Sequence, residues 1–175
     1  MKYTFKEFLS DVKSDLTRYK EPFLKSVLFI PGYKYTFHHR LCYYFYCHKL
    51  FFILFVIHWL YMKHLTYLYG IQTAWNKRLP RDFVIAHFGG ITFFPRECGE
   101  GIYLRQGVTV GGALVGVEQR HPKIGNNVVF GANSIVVGDI EIGDDVVIAA
   151  GAVVVKDVPG GCVVGGVPAR IIKQA

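Results

Sequence analysis

His87 and His121 are the side chains of this sequence best suited to removing a proton from a hydroxyl group. A neutral imidazole titrates at about 6.5, which makes it the usual general base near neutral pH. His87 lies in Ile85-Ala-His-Phe-Gly-Gly-Ile91, where two glycines let another backbone approach closely. His121 lies in Arg120-His-Pro-Lys-Ile-Gly125. Taken singly, either histidine reads as readily as a satisfied polar side chain. What sets the pair apart is that both fall outside the regular pattern of the chain around them. Other chemistries find no support. Gly111-Gly112 is not followed by Gly-Lys-Ser/Thr, and no Gly-x-Ser-x-Gly elbow or His-Glu-x-x-His pair occurs. His38, His39 and His48 have no metal-ligand spacing with cysteine or carboxylate, and they read as structural, as do His58 and His64. No metal is assigned. Direct transfer remains, in which a histidine deprotonates an acceptor that attacks a bound donor.

The elements that must hold these histidines show as a repeat. From Ile124 to Pro159 the chain divides into six six-residue units, opening on Ile124, Phe130, Val136, Ile142, Ile148 and Val154. The fifth residue of each (Val128, Ser134, Ile140, Val146, Ala152, Val158) is small or apolar. A period of six suits neither a helix nor a simple alternating strand. It suits a β-solenoid, in which each unit is one short strand and a turn, and stacked coils build a continuous core. Upstream, Leu104-Arg-Gln-Gly-Val-Thr and Val110-Gly-Gly-Ala-Leu-Val fit the frame, while the stretch opening on Phe93 runs one residue short. Between Val110 and Ile124 there are 14 residues where a unit needs six, so a surplus of eight must leave the solenoid as a loop at about 113–123. That loop carries Arg120 and His121, and loops on a rigid repeat are where function tends to sit.

The remainder of the chain differs in character. Residues 1–82 hold 13 Lys/Arg against 5 Asp/Glu, and residues 83–175 hold 7 against 8. The basic half would suit an anionic partner of some kind; the repeat half offers no nucleic-acid stripe. Phe5, Phe8, Leu9, Val12 and Leu16 recur at helical spacing with Lys and Asp opposite, which predicts an amphipathic helix. Tyr33 to Tyr69 reads as two helices or one broken helix ending at Gly70. Within it, Leu50–Met62 is apolar but spans about 20 Å, short of a hydrocarbon core of about 30 Å. It is expected to be a buried helix packed on the solenoid end; an interfacial segment touching the membrane is the alternative. The expected organisation is an N-terminal helical segment over 1–70 and a solenoid over 71–175. No secretory signal is read at the N-terminus and no Cys-x-x-Cys occurs, so the four cysteines are expected to be reduced thiols in the cytoplasm. Cys98 is expected at an apolar solenoid position.

The hexads, the loop Arg120-His-Pro-Lys-Ile-Gly, the segment Leu104–Gly112 and the ending Val163-Val-Gly-Gly-Val-Pro-Ala-Arg-Ile-Ile172 resemble the left-handed β-helix acyltransferases. Serine acetyltransferases and sugar O-acetyltransferases of colanic-acid type are the nearest groups, over about residues 70–175. The resemblance implies a left-handed parallel β-helix, acetyl-CoA as donor and a homotrimer with coenzyme sites between subunits. By position it implies His87 as catalytic base, His121 as second active-site histidine and Arg120 as an acceptor contact, with Gln72 as a second candidate to bind the acceptor. Gly112, Ala132 and Ala150 match positions lining the coenzyme groove. Lys156, Arg170 and Lys173 are candidates to meet coenzyme phosphates, with solvated charge as the alternative. There are departures. Serine acetyltransferases have aspartates where this chain has Ala86 and Gln72, which removes an amino-group ligand and a carboxylate that would orient the base. The aromatic N-terminus and Gly70-Ile-Gln72 resemble the sugar enzymes, whereas the Arg120–Gly125 loop has the serine-enzyme form. The leading expectation is therefore O-acetylation of a sugar hydroxyl in capsule or exopolysaccharide assembly, with serine O-acetylation second. A non-catalytic scaffold at the membrane is third.

Overall fold

The computed structural model describes residues 3–48, 52–115 and 118–174. Four helices lead: α1 (Phe5–Tyr19), α2 (Phe23–Phe29), α3 (Pro31–Cys47) and α4 (Phe52–Tyr69). Short strands follow: β1 (Ile71–Thr73), β2 (Val84–Ile85), β3 (Ile91–Phe93), β4 (Glu97–Cys98), β5 (Tyr103–Leu104) and β6 (Thr109–Gly111). Then come β7 (Ala113–Val115), β8 (Glu118–Arg120), β9 (Lys123–Ile124), β10 (Val129–Phe130) and β11 (Ile135–Val137). The last are β12 (Glu141–Ile142), β13 (Val147–Ile148), β14 (Val153–Val154), β15 (Cys162–Gly166) and β16 (Ala169–Gln174).

These strands build three faces of a prism. Face A is β1-β3-β6-β11-β14, face B is β2-β5-β10-β13-β15, and face C is β4-β9-β12. Every pairing within a face is parallel, and the chain visits B, A and C in turn, forming a left-handed parallel β-helix. Successive coils lie 18 residues apart, as in Val129↔Val147 and Ile135↔Val153. Both inward positions of the hexad point into the core: the openers Ile124 to Val154 and the fifth residues Val128 to Val158 are all buried. The Ile-Gly pairs have a steric cause. A Cβ on Gly125 would lie 2.7 Å from the carbonyl carbon of Gly143, and one on Gly143 would lie 2.4 Å from the nitrogen of Gly160. At the C-terminal end β16 folds back antiparallel on β15 and closes face B.

The helices cap the first coil and share its core: Tyr35, Cys42, Met62 and Leu65 pack in one cluster with Ile71, Ile85 and Ile91. Two helices over Pro31–Tyr69 match the reading of the sequence, and a capping box between Thr4 and Glu7 starts α1. The polar face of α1 is a correction, however. Asp11 and Asp15 are fully buried, whereas Phe5 and Leu9 are exposed. The cause is Arg40 of α3, also buried. Its guanidinium donates to Asp15 at 2.8 and 2.9 Å and to Asp11 at 3.1 Å. It also donates to the carbonyls of Leu79 (3.1 Å) and Pro80 (2.7 Å). Asp15 in turn accepts from the Phe83 N–H at 3.0 Å, and Asp11 accepts from Tyr3 and from Arg78. Helix packing is thereby welded to the segment that leads into β2.

The apolar segment is also partly a correction. Leu50 and Phe51 lie outside the described residues. In α4, Met62 and Leu65 are buried, and Phe55 and Trp59 pack on the core, but Ile53, Leu54, Ile57 and Leu60 face outward. Cys98 packs against the core half-buried, and its burial pushes the thiol up to about 12.

Two expectations follow from this cap. Arg40→Met leaves two buried carboxylates short of their counter-charge and should lower the unfolding free energy by about 3–5 kcal/mol, read from the urea midpoint. His39, fully buried beside Arg40 with Nε2 3.2 Å from the Ala74 carbonyl, has its pKa pushed down to about 3 by desolvation, with Arg40 adding to the shift. The unfolded ring therefore takes a proton before the folded one does. Its stabilising contribution is complete above about pH 6.5 and is lost as pH falls from there toward the folded value. Between pH 6 and 4.5 the wild type should lose about 1.4 kcal/mol per pH unit more than His39→Gln.

Candidate active site

His87 sits at the corner between faces B and A, and that corner is enlarged. Eight residue steps separate Val84 from Thr92, whereas six separate their partners Tyr103 and Thr109. The two added residues let the chain swing outward through Gly89 (φ 108°) and Gly90 (φ 66°), and the Gly89 carbonyl is caught by the Gly107 N–H at 2.8 Å. His87 is exposed at the crest, and its ring makes no hydrogen bond among the described residues. The next residue, Phe88, leans on Tyr69 at 5.2 Å between centroids. One residue is recovered further along: 17 rather than 18 residues separate Phe93 from its partner Val110. The frame irregularity visible in the sequence is thus the compensation for a widened corner.

His121 sits at a different corner, between faces A and C. The eight surplus residues leave there as the antiparallel hairpin β7–β8, so the predicted loop is a strand pair whose end delivers Arg120 and His121. The Nδ1 of His121 lies 2.7 Å from the Phe94 carbonyl, which can only accept. In the neutral ring Nδ1 therefore carries the proton and Nε2 is the nitrogen that can accept. His121 lines a cavity of 650 Å³ together with Thr73, Lys77, Arg78, Arg96 and Arg120. Asp139 lies between two of these arginines, 3.0 Å from Arg96 and 3.1 Å from Arg120. Reading of the sequence missed the Phe94 carbonyl, Arg96 and Asp139. The short frame at Phe93–Cys98 is the signal available for Phe94 and Arg96, whereas Asp139 lies inside a regular hexad that carries none.

The other candidates divide between the same two corners. Ala132 and Ala150 stack on successive coils at the B/A corner: the Ala132 carbonyl accepts from Gly151 at 2.8 Å, and both alanines lie in the column that begins at His87. Gly112 follows β6 and Lys156 follows β14, both at the A/C corner with His121. Lys156 shares a smaller groove with Arg170, whose Nη1 donates to its neighbour's carbonyl at 2.8 Å. Lys173, on β16 opposite Val163, lies outside that groove. Gln72 is exposed on β1 beside Thr92, at the rim of a second, aromatic cavity of 690 Å³. His87, Ala132 and Ala150 therefore lie in one column and Arg120, His121, Gly112 and Lys156 in another, with face A between them, so that one prism does not bring His87 and His121 together.

Known proteins match this arrangement. Residues 121–156 match the model of the bacterial transferase hexapeptide family, six repeats. The serine acetyltransferase of Synechococcus elongatus is 36% identical over 141 residues, covering 74% of this chain and 55% of that protein. The chain belongs to the hexapeptide-repeat acyltransferases, serine acetyltransferase group. Two solved members extend the likeness to the helices. The Brucella abortus serine acetyltransferase in complex with coenzyme A superposes with a TM-score of 0.77 at 26% identity, over 98% of this chain and 70% of that one. The Neisseria gonorrhoeae serine acetyltransferase in complex with serine gives 0.73 at 28% identity, over 97% and 70%. The chain spans about half the length of the curated relatives it matches.

The corner at His87 offers a test that separates strain from crowding. A Cβ on Gly89 would meet nothing within 4 Å, yet its φ of 108° is one that L side chains rarely adopt. Gly89→Ala should therefore cost about 1–2 kcal/mol by backbone strain alone, measured as a lowered denaturation midpoint.

Proposed function

We propose that this hexapeptide-repeat protein is an acetyl-CoA-dependent O-acetyltransferase that works as a trimer, with each site built from the B/A corner of one copy and the A/C corner of the next. The observation that carries this reading is the division of the candidates. His87, Ala132 and Ala150 fall in one column, and His121, Arg120, Gly112 and Lys156 fall in another. Neither column holds both histidines, and the coenzyme-groove candidates are divided between the two. Two parallel prisms side by side would set the columns face to face, with a channel between them for the pantetheine arm.

In that site His87 takes the proton of the acceptor hydroxyl as the oxygen attacks the thioester carbonyl. The tetrahedral oxyanion is stabilised by backbone N–H groups of the coil. Its collapse breaks the carbon–sulfur bond and expels coenzyme A as thiolate, which receives the proton back from the His87 imidazolium. His121, held by the Phe94 carbonyl in its Nδ1–H form, presents Nε2 as an acceptor for the incoming hydroxyl compound. Without a carboxylate at position 72, the His87 imidazolium relies on water or backbone for stabilisation.

For the acceptor, the serine acetyltransferases among its relatives weigh toward a serine-like hydroxyl compound. That reverses the order read from the sequence, which put a sugar hydroxyl first. A sugar remains the second reading on two observations. Ala86 and Gln72 stand where aspartates would hold and orient an amino acid acceptor. The aromatic cavity beside Gln72, lined by Trp59, Tyr67 and Trp75 with Asn76, offers ring faces and an amide of the kind that sugar rings and hydroxyls use.

Coenzyme A release with L-serine, set against a panel of sugar acceptors, decides between the two. His87→Asn should keep acetyl-CoA binding and lower kcat by about 10²–10⁴-fold. Mixing His87→Asn and His121→Ala subunits should restore activity above either variant alone, since some interfaces then hold both native histidines. Wild-type kcat in His87→Asn removes the base assignment. Absence of complementation in verified mixed trimers removes the shared site.

A further inference from the structure

Helix α4 is apolar over most of its circumference, with His58, Lys63, His64 and Thr66 as its polar residues, and its apolar faces need cover. One side has it: Met62 and Leu65 are buried against the first coil, and Phe55 and Trp59 pack there too. The opposite side does not. Ile53, Ile57, Leu60 and Leu68 follow at spacings of four, three and eight residues and form one stripe, exposed by 74, 54, 56 and 58%, with the exposed His64 between the last two. Tyr61 and Tyr67 border it, and Lys63 lies 5.6 Å over the Trp59 ring. Among the described residues no helix is long and apolar enough to cross a membrane.

The charge of the segment that carries this stripe is one-sided. From Pro22 to Arg81 the sequence contains no Asp or Glu and eight Lys/Arg. Arg40, Arg78 and Arg81 are drawn to Asp11 and Lys77 lines the His121 cavity, but Lys34 and Lys63 make no salt bridge among the described residues. We propose that the outward stripe of α4 is an interfacial surface that seats on anionic lipid, with the helix lying in the plane of the headgroups. Apolar and aromatic side chains enter the acyl boundary while the lysines meet lipid phosphates. A second copy of the chain is the less suitable occupant. A copy meeting it through this same segment would set cationic residues against cationic residues, since Pro22–Arg81 supplies no carboxylate.

The test is co-sedimentation of the 175-residue chain with vesicles, either pure phosphatidylcholine or phosphatidylcholine with about 30% phosphatidylglycerol. Binding to the anionic vesicles should exceed binding to the neutral ones by about tenfold or more and fall as salt is raised. Ile57→Glu/Leu60→Glu should abolish it while leaving the thermal midpoint and light-scattering mass unchanged, since both side chains are exposed. Lys63→Glu should weaken it several-fold. No pelleting above background with anionic vesicles, or equal pelleting with both compositions, overturns the proposal. So does a fall in molecular mass in the double variant, which would make the stripe a contact between copies.

Discussion

Everything at the N-terminal end of this protein depends on keeping one guanidinium out of water. Arg40 makes five hydrogen bonds, using the full donor set of its side chain on two carboxylates and two carbonyls. Buried charge is costly unless geometry satisfies it completely, and lysine, with three donors on one nitrogen, could not do so here. Because the acceptors come from α1 and from Leu79–Pro80, the same bonds fix the helices and the approach to β2. Ser14 to Asp82, Asp15 to Phe83 and Tyr19 to Ile85 extend the weld along the chain. It stops two residues before His87. A Cβ at Gly32 would lie 1.9 Å from the Ile85 carbonyl, so α3 comes as near to that strand as backbone can.

The solenoid imposes a different constraint. Each coil passes every corner once, so a residue's corner is decided by its place in the period and cannot be changed by small rearrangements. A rigid prism of this kind can align side chains along a column with high fidelity, yet it cannot fold one column onto another. Chemistry that needs both columns must borrow the second from elsewhere. The rigidity that fixes the tautomer of His121 is also what keeps it from His87 within one chain.

Legibility followed the same division. The hexad openers and fifth residues were readable because burial in a coil depends on local period alone, and all twelve are buried. The loop surplus of eight was readable as arithmetic, though its strand character was not, since pairing of Ala113 with Arg120 follows from geometry across the turn. The buried faces of α1 and α4 were misjudged for one reason. Periodicity treats aspartate as solvent-facing and isoleucine as core-facing, and it has no means of seeing that Arg40, 25 residues beyond Asp15, makes a carboxylate welcome inside. The division of the site between corners was implicit in the spacing, because Ala132 and Ala150 share a phase with each other and not with His121. Only the registers of the three faces make that visible.

The reversal of β16 against β15 has a consequence for how these prisms behave in a crowd. A stack of parallel coils ends in open edges whose N–H and C=O groups invite another strand, and repetition of that event produces fibres. On face B the antiparallel return of Ala169–Gln174 occupies the edge with a strand of opposite polarity, after which a further coil finds no matching register. At the other end the helices stand over the first coil. Face B is thus closed to a further parallel coil at its C-terminal edge, and the helices cover the first coil.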